Sequence, residues 1–384
     1  MAKWLTLKTF GAVCLSLTLA GASTVALAAV GNVLDTASME TTLASEKLLT
    51  DVAHAGKRIV AVGERGHIIY SDDNGKQWTQ ASVPVSMLLT AVYFPTPTQG
   101  WAVGHSGVIL HTGDAGATWT KQLDGRQEAK MVISQLEQQM TDMQAQEANA
   151  PESKKRALQD SLENLKFSLE DAKSDEKVGP WKPLLDVWFR DAKYGFAIGA
   201  YGLIFHTDDG GQTWHNWADH VPNPDGYHLN AIAQVKGGAL FIAGEAGTVY
   251  LSTDDGMTWS SVKSPYGGSF FGALGTGNVN EVLAFGLRGH VFRSDDLGKS
   301  WKAVPVDADA TLNSGVADGK GRIVLVGNDG SVLVSSDAGQ TFRSHVRADR
   351  EALLSAVLLN NDNLLLVGEQ GTELAGPDGT GKPM

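Results

Sequence analysis

The sequence predicts an all-β chain, a seven-bladed β-propeller that carries one inserted antiparallel α-helical hairpin. Three observations predict it. One unit recurs: a short apolar run, G-x-x-G, a second apolar run, then [S/T]-x-D-x-G-x-x-[W/F]. It is complete at residues 63–78, 104–119, 199–214, 244–259, 286–301 and 327–342, and a seventh copy begins at Gly368 and never reaches its aromatic. The first glycines step by 41, 95, 45, 42, 41 and 41 residues, so apart from one long step the period is near 42, which suits a four-stranded blade. The long step holds a stretch without glycine, from Arg126 to Lys177, whose apolar residues follow a heptad instead of a strand period.

Residues 1–28 read as a secretory signal. Lys3 and Lys8 give the positive start, residues 10–22 the apolar core, and Ala26-Leu27-Ala28 a small-x-small cleavage site before Ala29. The apolar core is short for a membrane anchor. The only cysteine, Cys14, lies inside it, so the mature chain has no disulfide to rely on. The expected location is a bacterial periplasm, or a lumen-type compartment in a phototroph. Net charge is −12, and −14 once Lys3 and Lys8 leave. That argues against nucleic acid, which calls for a basic face, and against simple docking on anionic lipid.

Residues 29–123 are expected to form a lead-in and two blades. In the first copy the strand signals fall at 49–53, 58–62, 67–71 and 78–82. The second strands, such as Ile59-Val60-Ala61-Val62, are continuously apolar, as expected of strands covered on both faces by neighbouring blades. Residues 124–180 form the insertion. Ala129, Ile133, Leu136, Met140 and Met143 step by 4, 3, 4 and 3, and Leu158, Leu162, Leu165, Leu169 and Ala172 do the same. Pro151 breaks the run and starts the second helix. Residues 181–376 hold blades three to seven, and 377–384 form a tail. The seventh blade has three strand signals, so the lead-in at 33–43 is expected to supply the fourth strand and leave no open edge.

The [S/T]-x-D-x-G-x-x-[W/F] element resembles the Asp-box, or BNR repeat. Its copies are Ser71/Asp73/Gly75/Trp78, Thr112/Asp114/Gly116/Trp119, Thr207/Asp209/Gly211/Trp214, Ser252/Asp254/Gly256/Trp259, Ser294/Asp296/Gly298/Trp301 and Ser335/Asp337/Gly339/Phe342. The longer unit at 100–119 and 195–214 is similar to the photosystem II stability/assembly factor family and its relatives in non-photosynthetic bacteria. The resemblance covers residues 45–376 apart from the insertion. It implies a seven-bladed propeller acting as a non-catalytic accessory or assembly factor for a membrane or envelope protein complex, such as a transporter, or a photosystem in a phototroph. Asp-boxes also occur in sialidases, so the alternative is a glycan-binding or sialidase-like propeller. That chemistry needs an arginine cluster and a Tyr–acid pair, and Arg65, Arg190 and Arg288 fall singly in the repeats.

The residues themselves assign the Asp-box to structure. Asp carboxylates and Ser/Thr hydroxyls bond turn N–H groups that a ladder cannot reach. In a meander, the G-x-x-G turns and the blade-to-blade links lie at one end and the Asp-box turns at the other. The insertion is such a link, so it is expected to rise from the G-x-x-G face as a docking arm. The candidate partner-binding residues are the varied turn tips Glu64, Arg65, His105, Tyr201, Glu245, Arg288 and Glu369, with Met131, Met143 and Phe167 on the hairpin. No catalytic residue, metal site or cofactor is expected. The ten histidines are scattered, and His111 and His206 share one repeat position, which marks them as strand residues. The chain is expected to be a monomer until it binds, and at most peripheral to a membrane.

Overall fold

The computed structural model describes residues 32–381. The signal segment expected at 1–28 lies outside the described residues. The repeat becomes seven antiparallel sheets with strands in simple sequence order, six of four strands and one of three. The first sheet is Leu49–Ala55, Arg58–Gly63, Ile68–Ser71 and Thr79–Gln80. The second strands of the later sheets, from Gly100–Gly104 to Leu364–Gly368, are buried at every position. Their continuous apolar sequence therefore meets a neighbouring sheet on each face.

The first strands of consecutive sheets touch all the way round, and the first strand of the seventh sheet touches that of the first. The sheets thus close a propeller-like ring. Side chains on these inner strands tie each sheet to the next. The hydroxyls of Thr50 and Thr90 donate to the carbonyls of Leu89 and Leu184, both at 2.7 Å. The amides of Asn230 and Asn313 donate to Phe270 and Leu353 at 2.7 and 2.9 Å. Asp51 and Asp186 accept from the next sheet's Val92 and Ile232 N–H groups, both at 2.8 Å. Desolvation at these inner positions pushes the Asp51 carboxyl up to about 6 and that of Asp186 up to about 7.

The two glycines of each tip turn have different reasons. The first is extended, as at Gly199 with φ −168°. A Cβ there would stand 2.4 Å from the Pro183 carbonyl oxygen, and the other six copies are as tight, between 2.1 and 2.6 Å. Backbone passes against backbone, so only glycine fits. The second is left-handed, as at Gly202 with φ 73°, a conformation glycine adopts without steric cost.

At the other end of the six four-stranded sheets the Ser/Thr and Asp side chains build one repeated turn. Thr207 Oγ1 accepts from Gly211 N at 2.8 Å and donates to Asp209 at 2.9 Å, while Asp209 accepts from the Thr213 N–H at 2.9 Å and its hydroxyl at 2.6 Å. Hydrogen bonds from the Ser300 hydroxyl and amide hold the equivalent Asp296 down at about 2. These carboxylates are consumed by the turn.

One expectation is corrected. Residues 33–43 form no strand, and the seventh sheet has three. Of its apolar residues only Leu34 is buried in the core, beside the first and second sheets, while Val33, Met39 and Leu43 stay exposed. The segment lies along the first sheet's outer side instead, where Ser38 N donates to Val83 O at 3.0 Å, Ser86 N to Val33 O at 2.8 Å, and Thr41 N to the Gln80 side chain at 2.9 Å. Closure comes from face packing: Leu49, Ile59 and Ile69 of the first sheet share one apolar cluster with Val357, Leu365 and Val367 of the seventh.

Candidate partner-binding face

Two helices interrupt the ring between the second and third sheets, α1 (Gly125–Ala148) and α2 (Glu152–Val178). At 1.5 Å per residue they are ~36 and ~40 Å long. Asp124 caps α1, accepting from Arg126 N at 3.0 Å, while the Gln127 side chain accepts from Asp124 N at 3.0 Å. The heptad positions are the half-buried or buried ones, with Leu162 the deepest, so the seam is satisfied between the two helices. Lys173 reaches across it to Glu137 at 2.7 Å.

The hairpin is fastened at its base. Arg126 grips both oxygens of Asp35 at 2.8 Å and reaches Asp124 at 2.5 Å. Lys121 binds the same two carboxylates at 3.0 and 2.9 Å. The lead-in that was expected to close the ring thus supplies the hairpin's anchor. Higher up, Gln139 of α1 donates to Asp219 in the link after the third sheet at 2.6 Å. The hairpin therefore leans on the third sheet.

Where α1 and α2 meet the third sheet's tip turn they frame a pocket of about 460 Å³. Its walls include Trp181 and Tyr201, which are 43 % and 49 % exposed and meet edge to face at 4.8 Å. Tyr201 touches His228 at 4.7 Å, and His228 pairs with Glu245 at 2.8 Å. Lys182 lies 5.7 and 5.9 Å from the two rings and 2.5 Å from Asp175. Glu128 closes the floor, buried, with its carboxyl pushed up to about 7 by desolvation.

The tip turns hold their second variable residue left-handed without a glycine: Arg65, Ser106, Tyr201, Ala246, Arg288 and Asp329 have φ between 53° and 59°. Of the residues singled out in the sequence, Arg65, Tyr201, Arg288 and Glu369 are exposed, and Glu64, His105 and Glu245 are half-buried. Tyr201 and Glu245 are brought together through His228. No hydrogen bond, ion pair or ring contact among the described residues joins Arg65, Arg288 or Glu369 to that group. Met131 packs against the core between the second and third sheets, Met143 is half-buried, and Phe167 is 59 % exposed on α2. Trp181, Lys182 and Glu128 escaped the sequence reading. The run Gly179-Pro180-Trp181-Lys182, directly after the helical composition ends, was the available signal.

Residues 32–150 and 174–374 match the family model described as Photosynthesis system II assembly factor YCF48. The chain belongs to this family. A curated family member, the photosystem II assembly lipoprotein Ycf48 of Synechococcus sp. (strain CC9902), is 30 % identical over 215 residues, which is 53 % of this chain and 63 % of that protein. The chain thus spans a little under two thirds of that relative's length. Two solved structures share the fold. YCF48 bound to a D1 peptide superposes with a TM-score of 0.58 at 14 % identity, covering 86 % of this chain and 94 % of that one. The WD40 β-propeller domain of Doa1 gives 0.55 at 10 % identity, covering 89 % and 95 %. No helix among the described residues is long and apolar enough to cross a membrane.

Proposed function

We propose that this chain is a seven-bladed propeller of the Asp-box type, exported to the periplasm or an equivalent lumen, that works without catalysis. Its role is to dock on a membrane or envelope protein complex through its G-x-x-G face and helical hairpin. The observation that carries this is the hairpin itself: a single long insertion into one link of a regular repeat, clamped by Asp35, Arg126, Asp124 and Lys121 and flanked by the exposed rings of Trp181 and Tyr201. An insertion held this firmly, on the face where the tip turns vary, suits a working surface. Family membership supports an assembly role, since the Synechococcus relative is described as a photosystem II assembly lipoprotein. Peptide recognition by the shared fold is supported by the structure of YCF48 with a D1 peptide. The six Asp-box carboxylates are occupied by their own turns, which leaves them unsuited to acid–base chemistry.

The test is crosslinking and co-purification from native envelopes, comparing the full chain with one lacking residues 124–179. Capture of a membrane protein complex by the full chain, lost on deletion, is the expected result. Capture of the same complex by both chains would move the contact to the tip ring, with Arg65 and Arg288 the next substitutions. If neither chain captures a complex and a glycan array gives a specific hit, the accessory role is wrong.

A further inference from the structure

Among the charged groups lining the hairpin-base pocket, one stands apart. Arg126 is held by Asp35 and Asp124, and Lys182 by Asp175. Lys130 and Glu176 are exposed to solvent. Glu128 is 8 % exposed, and its carboxyl oxygens have neither a hydrogen bond nor an ion pair among the described residues. It reaches inward beside Gly107, where a Cβ would stand 2.7 Å from one carboxyl oxygen. A mostly buried carboxyl that bonds no protein donor is stabilised by an entering donor or cation. The Lys182 charge acts on Glu128 from across the pocket, but its ammonium is paired with Asp175 and lies 5.7 and 5.9 Å from the two rings.

Trp181 and Tyr201 supply the second half of a cation site. Both rings are about half exposed and set edge to face. Ring faces attract ammonium and guanidinium groups, more strongly when water is excluded. The pocket volume of about 460 Å³ lies within the range of a pocket that takes a side chain or small ligand. An acid floor, aromatic walls and an acidic chain together select a positive guest, since a carboxylate guest would meet Glu128 head on.

We infer that this pocket takes a lysine or arginine side chain presented by the polypeptide partner, with Glu128 as its counter-charge and Trp181 and Tyr201 stacked on its flat or methylene faces. This deepens the docking role proposed above, and rests on it for the source of the side chain. Arginine fits better than lysine here, because a planar guanidinium can stack on a ring and bond a carboxylate at once.

The test titrates the full chain with the tripeptide acetyl-Gly-Arg-Gly-amide, its citrulline counterpart, which has the same shape and no charge, and the acidic acetyl-Gly-Glu-Gly-amide. Binding is followed by tryptophan fluorescence and by calorimetry. The arginine peptide is expected to bind about tenfold more tightly than the citrulline one, in line with one charge-assisted bond. Glu128→Gln keeps the volume and should remove that preference. Trp181→Leu, at an exposed loop position, should weaken the arginine peptide without touching the floor. Equal binding of arginine and citrulline peptides, an unchanged preference in Glu128→Gln, or tighter binding of the acidic peptide overturns the assignment. Capture of the complex by a chain without the hairpin would refute the docking arm alone, so the two ideas fail on different measurements.

Discussion

Trp119 and Trp214 occupy the same place in two copies of the repeat, yet replacing each with phenylalanine should have different consequences. Both are nearly buried, 4 % and 5 % exposed. Trp119 donates its indole N–H to the Gly116 carbonyl at 3.0 Å and meets Phe94 edge to face at 6.1 Å. The indole N–H of Trp214 is buried with no partner among the described residues. Trp119→Phe leaves a buried carbonyl short of its donor and opens a small gap, which together cost ~2–3 kcal/mol. Trp214→Phe opens a similar gap, but also removes an unsatisfied donor whose burial cost ~1–2 kcal/mol, so the net change is within ~1 kcal/mol. Phe342, at the same position in the sixth copy, shows that the fold accepts the ring. For about 350 residues unfolding cooperatively the entropy is ~0.7 kcal/mol/K, so the two variants should differ by ~2–3 °C in Tm. Circular dichroism melts of wild type and both single variants measure this. Equal losses, or a larger loss for Trp214→Phe, would refute the hydrogen-bond bookkeeping on which the difference rests.

Other consequences are as direct. Asp51 and Asp186 are raised above their unfolded values, to about 6 and about 7. The folded chain therefore binds more protons than the unfolded one between about pH 4 and 7, and these two groups make stability fall as pH rises through that window. Denaturation midpoints at pH 5 and pH 8 should lie closer together in Asp186→Asn than in wild type, and an unchanged gap would exclude the raised carboxyl. Arg126→Ala should free the hairpin base: hydrogen exchange across residues 125–135 should speed up. The cost to global stability should stay under ~1 kcal/mol, because Lys121 still holds both carboxylates and the site is partly exposed. Gly199→Ala puts a Cβ 2.4 Å from the Pro183 carbonyl oxygen without any conformational penalty at φ −168°. A loss of ~1–3 kcal/mol from overpacking is expected in denaturant titration, and a neutral result would show that the two backbones can part.

Much of the fold was legible because it repeats. The paired glycines, the Ser/Thr–Asp turn and the buried second strands each have a local physical cause, so six copies made the period unmistakable and the one long step exposed the hairpin. The closing strand was misjudged because symmetry was used where sequence was silent. A three-stranded last sheet invites a fourth strand, but the backbone of residues 33–43 pairs with residues 80–86 beside the first sheet, and Leu34 is buried there instead. The site was half legible. Tip residues such as Tyr201 could be named from their turn, since loops vary where strands cannot. The partners of Tyr201 could not. Trp181 and Lys182 lie outside the repeat, and Glu128 reads as one more acid on a charged helix until the fold swings it under the tip of Gly107. The inner-strand bonds of Thr50, Thr90 and Asn230 were missed for a related reason: their acceptors sit about 40 or more residues away, on another sheet.

A ring closed by facing apolar surfaces, with no strand shared between its last and first sheets, has no clasp. The seam between the seventh and first sheets is held by the same kinds of contact as any other pair. The break between the seventh and first sheets is then an arbitrary cut in the circle. Circular permutants that join the two ends by a short linker and open the chain in another link, for example after the fourth or fifth sheet, should fold to the same ring. Opening it at the second-to-third link is the exception, because that link carries the hairpin and the anchor that Asp35 brings to its base. The order of the sheets along the chain would then be a matter of connection rather than of architecture, apart from the anchor that Asp35 brings to the base of the arm.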